Sequence, residues 1–217
     1  MKIKGVIFDM DGTLLDSMYI WDTCASEYIK RQDRIPEKDL NKKISHMTFS
    51  QGVEYLIENY FPEKSYGEIE AGVYDIIREE YINNAPAKSG VAEAIRSLAG
   101  MGIKMAVATA NDLDLAQAAL IRCGIYNYFE GIVTCRMVGQ SKESPCVYYK
   151  AQELLGLQTE DVAVVEDVLY AVKTAKGAGF RTVAIKDDYS KADRDAIIGF
   201  ADCYIPSFED WQAILGN

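Results

Sequence analysis

The stretch VIFDMDGTLLDS, residues 6–17, halts an apolar run at two aspartates, Asp9 and Asp11, one residue apart. A strand leaving a sheet usually ends in Gly, Asn or a single Asp, and a second carboxylate adds like-charge repulsion. A bound cation would offset that repulsion by neutralising both acids; a shared proton would offset it and leave one acid able to transfer a proton. Further polar residues close other apolar runs. Thr109, Ala110 and Asn111 follow IKMAVA, Lys142 lies beyond GIVT, and Glu166 and Asp167 follow VAVV.

Residues so far apart in the chain meet only if the fold gathers the ends of these runs. The runs at 4–8, 103–109, 131–134, 162–166 and 182–185 are short and mostly continuous in apolar character, as buried parallel strands are. Helical patterns at 91–102, 114–124, 145–156 and 171–179 separate or follow them, each with a glycine near its end. Strands alternating with helices imply right-handed crossovers and an α/β, doubly wound parallel sheet of Rossmann-like type. From residue 17 to 84 strand signals vanish and amphipathic helical patterns succeed one another. The chain is therefore expected to divide into a discontinuous α/β core, 1–16 and 85–217, and a four-helix-like insert, 17–84.

Composition narrows the function. With 33 acidic against 23 basic residues, a net charge of −10 and no basic patch, neither a nucleic-acid partner nor an anionic membrane is expected. The apolar run near the start is too short for a signal-peptide core, and no stretch reaches transmembrane length. The five cysteines are odd in number, scattered and without a C-x-x-C pair, which points to reduced thiols in a cytoplasm, serving mostly as core fillers. A monomer is the default.

In a doubly wound sheet ligands bind beyond the carboxyl ends of the strands, where these polar residues would converge. Acids, a lysine and a hydroxyl in one small volume suit phosphoryl transfer, which needs a carboxylate nucleophile, an acid and base, a divalent cation and donors for the equatorial oxygens.

These motifs, over nearly the whole chain, resemble the haloacid dehalogenase-like hydrolases, in particular the helical-cap phosphatase and β-phosphoglucomutase branch. The resemblance rests on Asp9-Met10-Asp11-Gly12-Thr13 after the first strand, Thr109 ending the second, Lys142 ahead of Pro145, and the pair Glu166-Asp167. It implies that Asp9 attacks phosphorus and becomes an aspartyl-phosphate, while Asp11 protonates the leaving oxygen and then activates water. It also implies Mg²⁺ held by the Asp9 carboxylate, the Asp11 backbone carbonyl and Asp167, with Glu166 assisting through water. Thr109 and the amides of Ala110 and Asn111 would bind phosphoryl oxygens, Lys142 would steady Asp9, and Gly12 would let the backbone approach the phosphate. The implied activity is hydrolysis of a small phosphorylated metabolite, such as a sugar phosphate or nucleotide. The alternatives are a phosphosugar mutase or a catalytically weakened phosphate-binding relative. The mutases carry a histidine where Trp21 stands, dehalogenases lack the second aspartate, and receiver domains lack D-x-D-G-T. Three positions depart from the family pattern: Cys146 for Asp after the proline, and Val168 and Ala171 for the Ser and Gly that follow the acidic pair.

Plainer roles suit other residues. Met10 is expected to pack away from the site. Asp16 should cap the first helix of the insert or fix its hinge. Met18 and Trp21 should pack between helices, with substrate selection as the alternative; His46 should lie at the surface or a hinge. Glu166 could ligate a cation or accept hydrogen bonds from loop amides, and the glycines at 177–179 should end a helix.

Overall fold

The computed structural model describes residues 3–216. It contains six strands: β1 (Gly5–Phe8), β2 (Lys104–Thr109), β3 (Ile132–Thr134), β4 (Val162–Glu166), β5 (Arg181–Ile185) and β6 (Cys203–Ile205). Ten α-helices accompany them. Four lie between β1 and β2: α1 (Met18–Arg31), α2 (Leu40–Ile44), α3 (Phe49–Asn59) and α4 (Tyr66–Asn83). The others are α5 (Val91–Gly100), α6 (Leu113–Arg122), α7 (Cys135–Val138), α8 (Cys146–Leu155), α9 (Leu169–Gly177) and α10 (Arg194–Phe200).

All strand pairings are parallel, in the order β3-β2-β1-β4-β5-β6. This is the expected doubly wound sheet. Strand order reverses beside β1, so connections leave β1 and β4 in opposite directions and open a crevice at their carboxyl ends. β1 and β4 run in register, Phe8 opposite Val165, and the Asp9 amide donates to the Val165 carbonyl at 3.0 Å. The registration puts Asp9 level with the acidic end of β4. β1 and β4 are buried along their whole length, which explains their unbroken apolar character. Ile7, Ala106, Ala108 and Val164 form a core with Val147, Tyr148, Ala151 and Leu155 of α8, and Met10 is fully buried. Three elements go beyond the expected set. β6 is a three-residue strand only partly buried, α7 is a single turn, and α10 buries only Ile197, so none carries a strong period.

The described chain forms two compact units, one of residues up to Asp16 together with those from Pro86 onward, the other of Ser17–Ala85. The second is all-helical. In it α1 presents Ile20, Cys24, Tyr28 and Ile29, while α4 presents Ile69, Val73, Ile76 and Ile77. The two approach closely at Gly72, where a Cβ would lie 2.3 Å from the Tyr28 ring. Thr48 with Gln51 and Ser65 with Glu68 form complete capping boxes at the starts of α3 and α4. Asp16 does not cap α1. Ser17 holds the N-cap position, and Asp16 is exposed, its amide donating to the Pro86 carbonyl at 2.9 Å. The cysteine expectation also needs correction: all five are free thiols, but only Cys24 is buried. No described helix is long and apolar enough to cross a membrane.

Candidate functional site

β1 ends at Phe8, and the next residues turn sharply. The amides of Thr13 and Leu15 donate to the Met10 carbonyl at 3.3 and 2.9 Å, and the Gly12 amide donates to the Leu15 carbonyl at 2.9 Å. Gly12 takes φ +81°, a backbone open to glycine. A Cβ there would lie 2.5 Å from Asp167 Oδ2. The expectation was that Gly12 makes room for a phosphate; the observed neighbour is the Asp167 carboxylate.

Asp9, Lys142, Glu166 and Asp167 are all buried. Lys142 forms an ion pair with Asp9 Oδ1 and donates to Glu166 Oε1 at 2.6 Å. Tyr148, buried on α8, donates to the same Glu166 oxygen at 2.8 Å. Glu166 therefore takes its partners from side chains and not from loop amides. Asp167 accepts from the Thr13 hydroxyl at 3.1 Å and lies 3.5 Å from the Ser190 hydroxyl. Carboxylate oxygens of Asp9, Glu166 and Asp167 lie within 4.8 Å of one another. The Asp11 carboxylate stands outside that group, holding the Asn111 side-chain amide at 3.1 Å. Thr109 is buried at the end of β2, and its hydroxyl accepts from the Asn111 amide at 3.0 Å. Ala110 beside it is exposed.

The electrostatics follow from burying like charges together. Burial pushes the Glu166 carboxyl up to about 7, with Asp9 adding to the push and Lys142 opposing it. Burial likewise raises Asp167 well above the usual carboxylate range, with Asp9 and Glu166 contributing. Burial alone would lower the Lys142 ammonium, but Asp9 and Glu166 outweigh it and hold the lysine protonated far above its ordinary range. Three acids thus face one lysine.

That donor set fits a divalent cation. Its oxygens are hard, its negative charge exceeds what Lys142 supplies, and Glu166 Oε2 is buried without a hydrogen-bond partner. Lys142 contacts one Asp9 oxygen, which leaves the other open to an electrophile.

Motif spacing does not mark Tyr148 or Ser190, which join the site from α8 and from the segment after β5. Tyr148 reads as ordinary helix core, and only its contact with Glu166 distinguishes it. Among the departures, Val168 is the N-cap residue of α9 and offers no side-chain bond to the helix amides. The Cys146 thiol lies 3.4 Å from Gln140 Oε1 and 3.2 Å from the Ser144 hydroxyl, outside the acidic group. Ala171 is fully buried. The other candidates lie in the helical unit: Met18 half-buried, His46 exposed, and Trp21 41% exposed, so the tryptophan is not a fully buried core residue.

A family model described as haloacid dehalogenase-like hydrolase matches residues 6–185. A Caldanaerobacter subterraneus protein assigned as the pyrophosphatase PpaX is 30% identical over 191 residues, 86% of this chain and 83% of that one. The phosphorylated carbohydrates phosphatase of Thermotoga maritima is 26% identical, over 83% of this chain and 84% of its own. A solved Thermotoga maritima structure, assigned as a β-phosphoglucomutase, superposes with a TM-score of 0.85 at 24% identity, covering 97% of this chain and 98% of that one.

Proposed function

This chain belongs to the haloacid dehalogenase-like hydrolases and is a phosphatase of that family, and from that premise we propose a Mg²⁺-dependent phosphomonoesterase that works through a phosphorylated Asp9. The observation that carries the reading is the pairing of Lys142 with a single oxygen of Asp9 beside Asp167 and Glu166. It leaves Asp9 one oxygen able to attack, in an acidic group whose excess negative charge a cation would offset.

Asp9 attacks phosphorus, the bond from phosphorus to the leaving oxygen breaks, and Asp11 gives that oxygen its proton. Water then attacks the aspartyl-phosphate, Asp11 takes the water's proton, and the phosphorus–Asp9 bond breaks to release inorganic phosphate. Asn111, on the Asp11 carboxylate, keeps the acid oriented through both steps. Lys142 balances charge on Asp9. The Thr109 hydroxyl, which accepts from the Asn111 amide, keeps its own hydrogen for a phosphoryl oxygen; because that bond engages the Asn111 amide, the Ala110 amide is the backbone donor we assign to the phosphate. Asp167, Glu166, the Asp11 backbone carbonyl and the Asp9 oxygen that Lys142 contacts would hold the cation, which leaves the other Asp9 oxygen to attack. When bound, it withdraws charge from the phosphoryl oxygens.

The helical unit serves as a cap that selects a small phosphorylated metabolite. Trp21 in place of a histidine disfavours the mutase alternative. Purified protein tests the reading: Mg²⁺-dependent phosphate release from p-nitrophenyl phosphate and a metabolite panel is expected, and no release from any ester overturns it.

A further inference from the structure

The helical unit contains a cavity of about 280 Å³, near the lower end of the roughly 300–1,000 Å³ common for small-molecule sites. Ile44, Met47 and Leu56 supply apolar wall, and Trp21 and Phe49 supply aromatic wall. Both rings keep open surface, 41% exposed for Trp21 and 37% for Phe49. Asp22 is the sole charged residue lining the cavity. Among the described residues its carboxylate has neither an ion pair nor a hydrogen bond. Its field reaches the wall: burial pushes the Cys24 thiol up to about 11, and Asp22 adds to that push.

These walls discriminate between occupants. An anion would meet Asp22 unfavourably. A neutral apolar group would exclude water from the carboxylate without compensating its charge. Asn41, Ser45 and Thr48 add polar groups to the wall, but the Ser45 hydroxyl already donates to the Lys42 carbonyl and the Thr48 hydroxyl already accepts from the Gln51 amide. A small metal ion needs several oxygen ligands, and Asp22 is the one carboxylate among them. A primary ammonium carries three donors and would depend on those engaged hydroxyls beside Asp22. An alkylated ammonium has none to satisfy, packs its methyl groups on aliphatic wall, and is drawn to the face of an aromatic ring, tryptophan best of all. We propose that this cavity binds an alkylated ammonium group, its methyls against Ile44, Met47 and Leu56 and its charge shared between the Trp21 ring and the Asp22 carboxylate.

Calorimetry on the full chain tests the site, with choline and its neutral carbon isostere 3,3-dimethylbutan-1-ol as probes. Choline should bind at least ~10-fold more tightly than the isostere. Asp22→Asn should erase that preference, and Trp21→Leu should weaken choline at least ~5-fold while circular dichroism stays unchanged. Equal binding of the two probes, binding of neither, or an Asp22→Asn variant that keeps the preference would overturn the proposal. Choline itself carries no phosphate, so this outcome is independent of the catalytic reading.

Discussion

The space a side chain would fill at Gly12 is taken by the Asp167 carboxylate: a Cβ on Gly12 would stand 2.5 Å from Asp167 Oδ2. The loop after β1 and the acidic end of β4 are thereby fitted to each other, and Thr13 completes the contact through its hydroxyl, 3.1 Å from Oδ1. Gly12→Ala should displace Asp167 and strain a backbone at φ +81°. We expect a stability loss of about 1–3 kcal/mol, and an activity loss of at least ~10-fold with a higher Mg²⁺ requirement. Thermal melts and Mg²⁺ titration of activity would check both parts; a variant with wild-type Mg²⁺ dependence would show that the fit does not matter.

Tyr148→Phe removes a hydroxyl that donates to Glu166 at 2.8 Å in a fully buried setting. Hydrogen bonds to charged groups contribute about 1.5–3 kcal/mol, so urea denaturation should show a loss of that order. Unchanged stability would mean that Lys142 alone satisfies Glu166.

Val168 leaves the start of α9 without a side-chain cap. Val168→Ser should add about 0.5–2 kcal/mol of stability by accepting from the first-turn amides. A lower melting temperature would indicate that the packing of the half-buried valine outweighs the missing cap.

A cation at Asp9, Glu166 and Asp167 would relieve the mutual repulsion of three buried acids. Mg²⁺ at ~100 times its Kd should therefore stabilise the protein by about 2.7 kcal/mol. Asp167→Asn should lose most of this increment while remaining folded without added Mg²⁺. Melting curves with and without Mg²⁺ measure it, and an equal shift in the variant would remove Asp167 from the ligand set.

Much of the sheet was legible because buried parallel strands are written as short apolar runs, and Asp9, Lys142, Glu166 and Asp167 were legible because each sits just past such a run or the helix after it. Their convergence could be inferred from the carboxyl-end rule alone. What escaped has weaker local signals. β6 is three residues long and only partly buried, so neither length nor alternation marks it. Tyr148 is indistinguishable in sequence from its neighbours on the buried face of α8, and its value lies wholly in a partner 18 positions away. Asp16 is a good capping residue in general, but the helix begins one residue later than that role requires. Trp21 reads as core by composition, and only its exposure beside a cavity separates it from Tyr28, which is buried on the same helix.

The central claim is that Asp9 carries the phosphoryl group. Rapid quenching of the enzyme during turnover of a hydrolysed ester, followed by peptide mass spectrometry, reads it directly. A phosphorylated peptide containing Asp9 is predicted for the wild type and none for Asp9→Asn, whose turnover should fall by at least ~10³-fold. Turnover of Asp9→Asn within a few-fold of wild type, or a phosphorylated peptide lacking Asp9, would contradict the account.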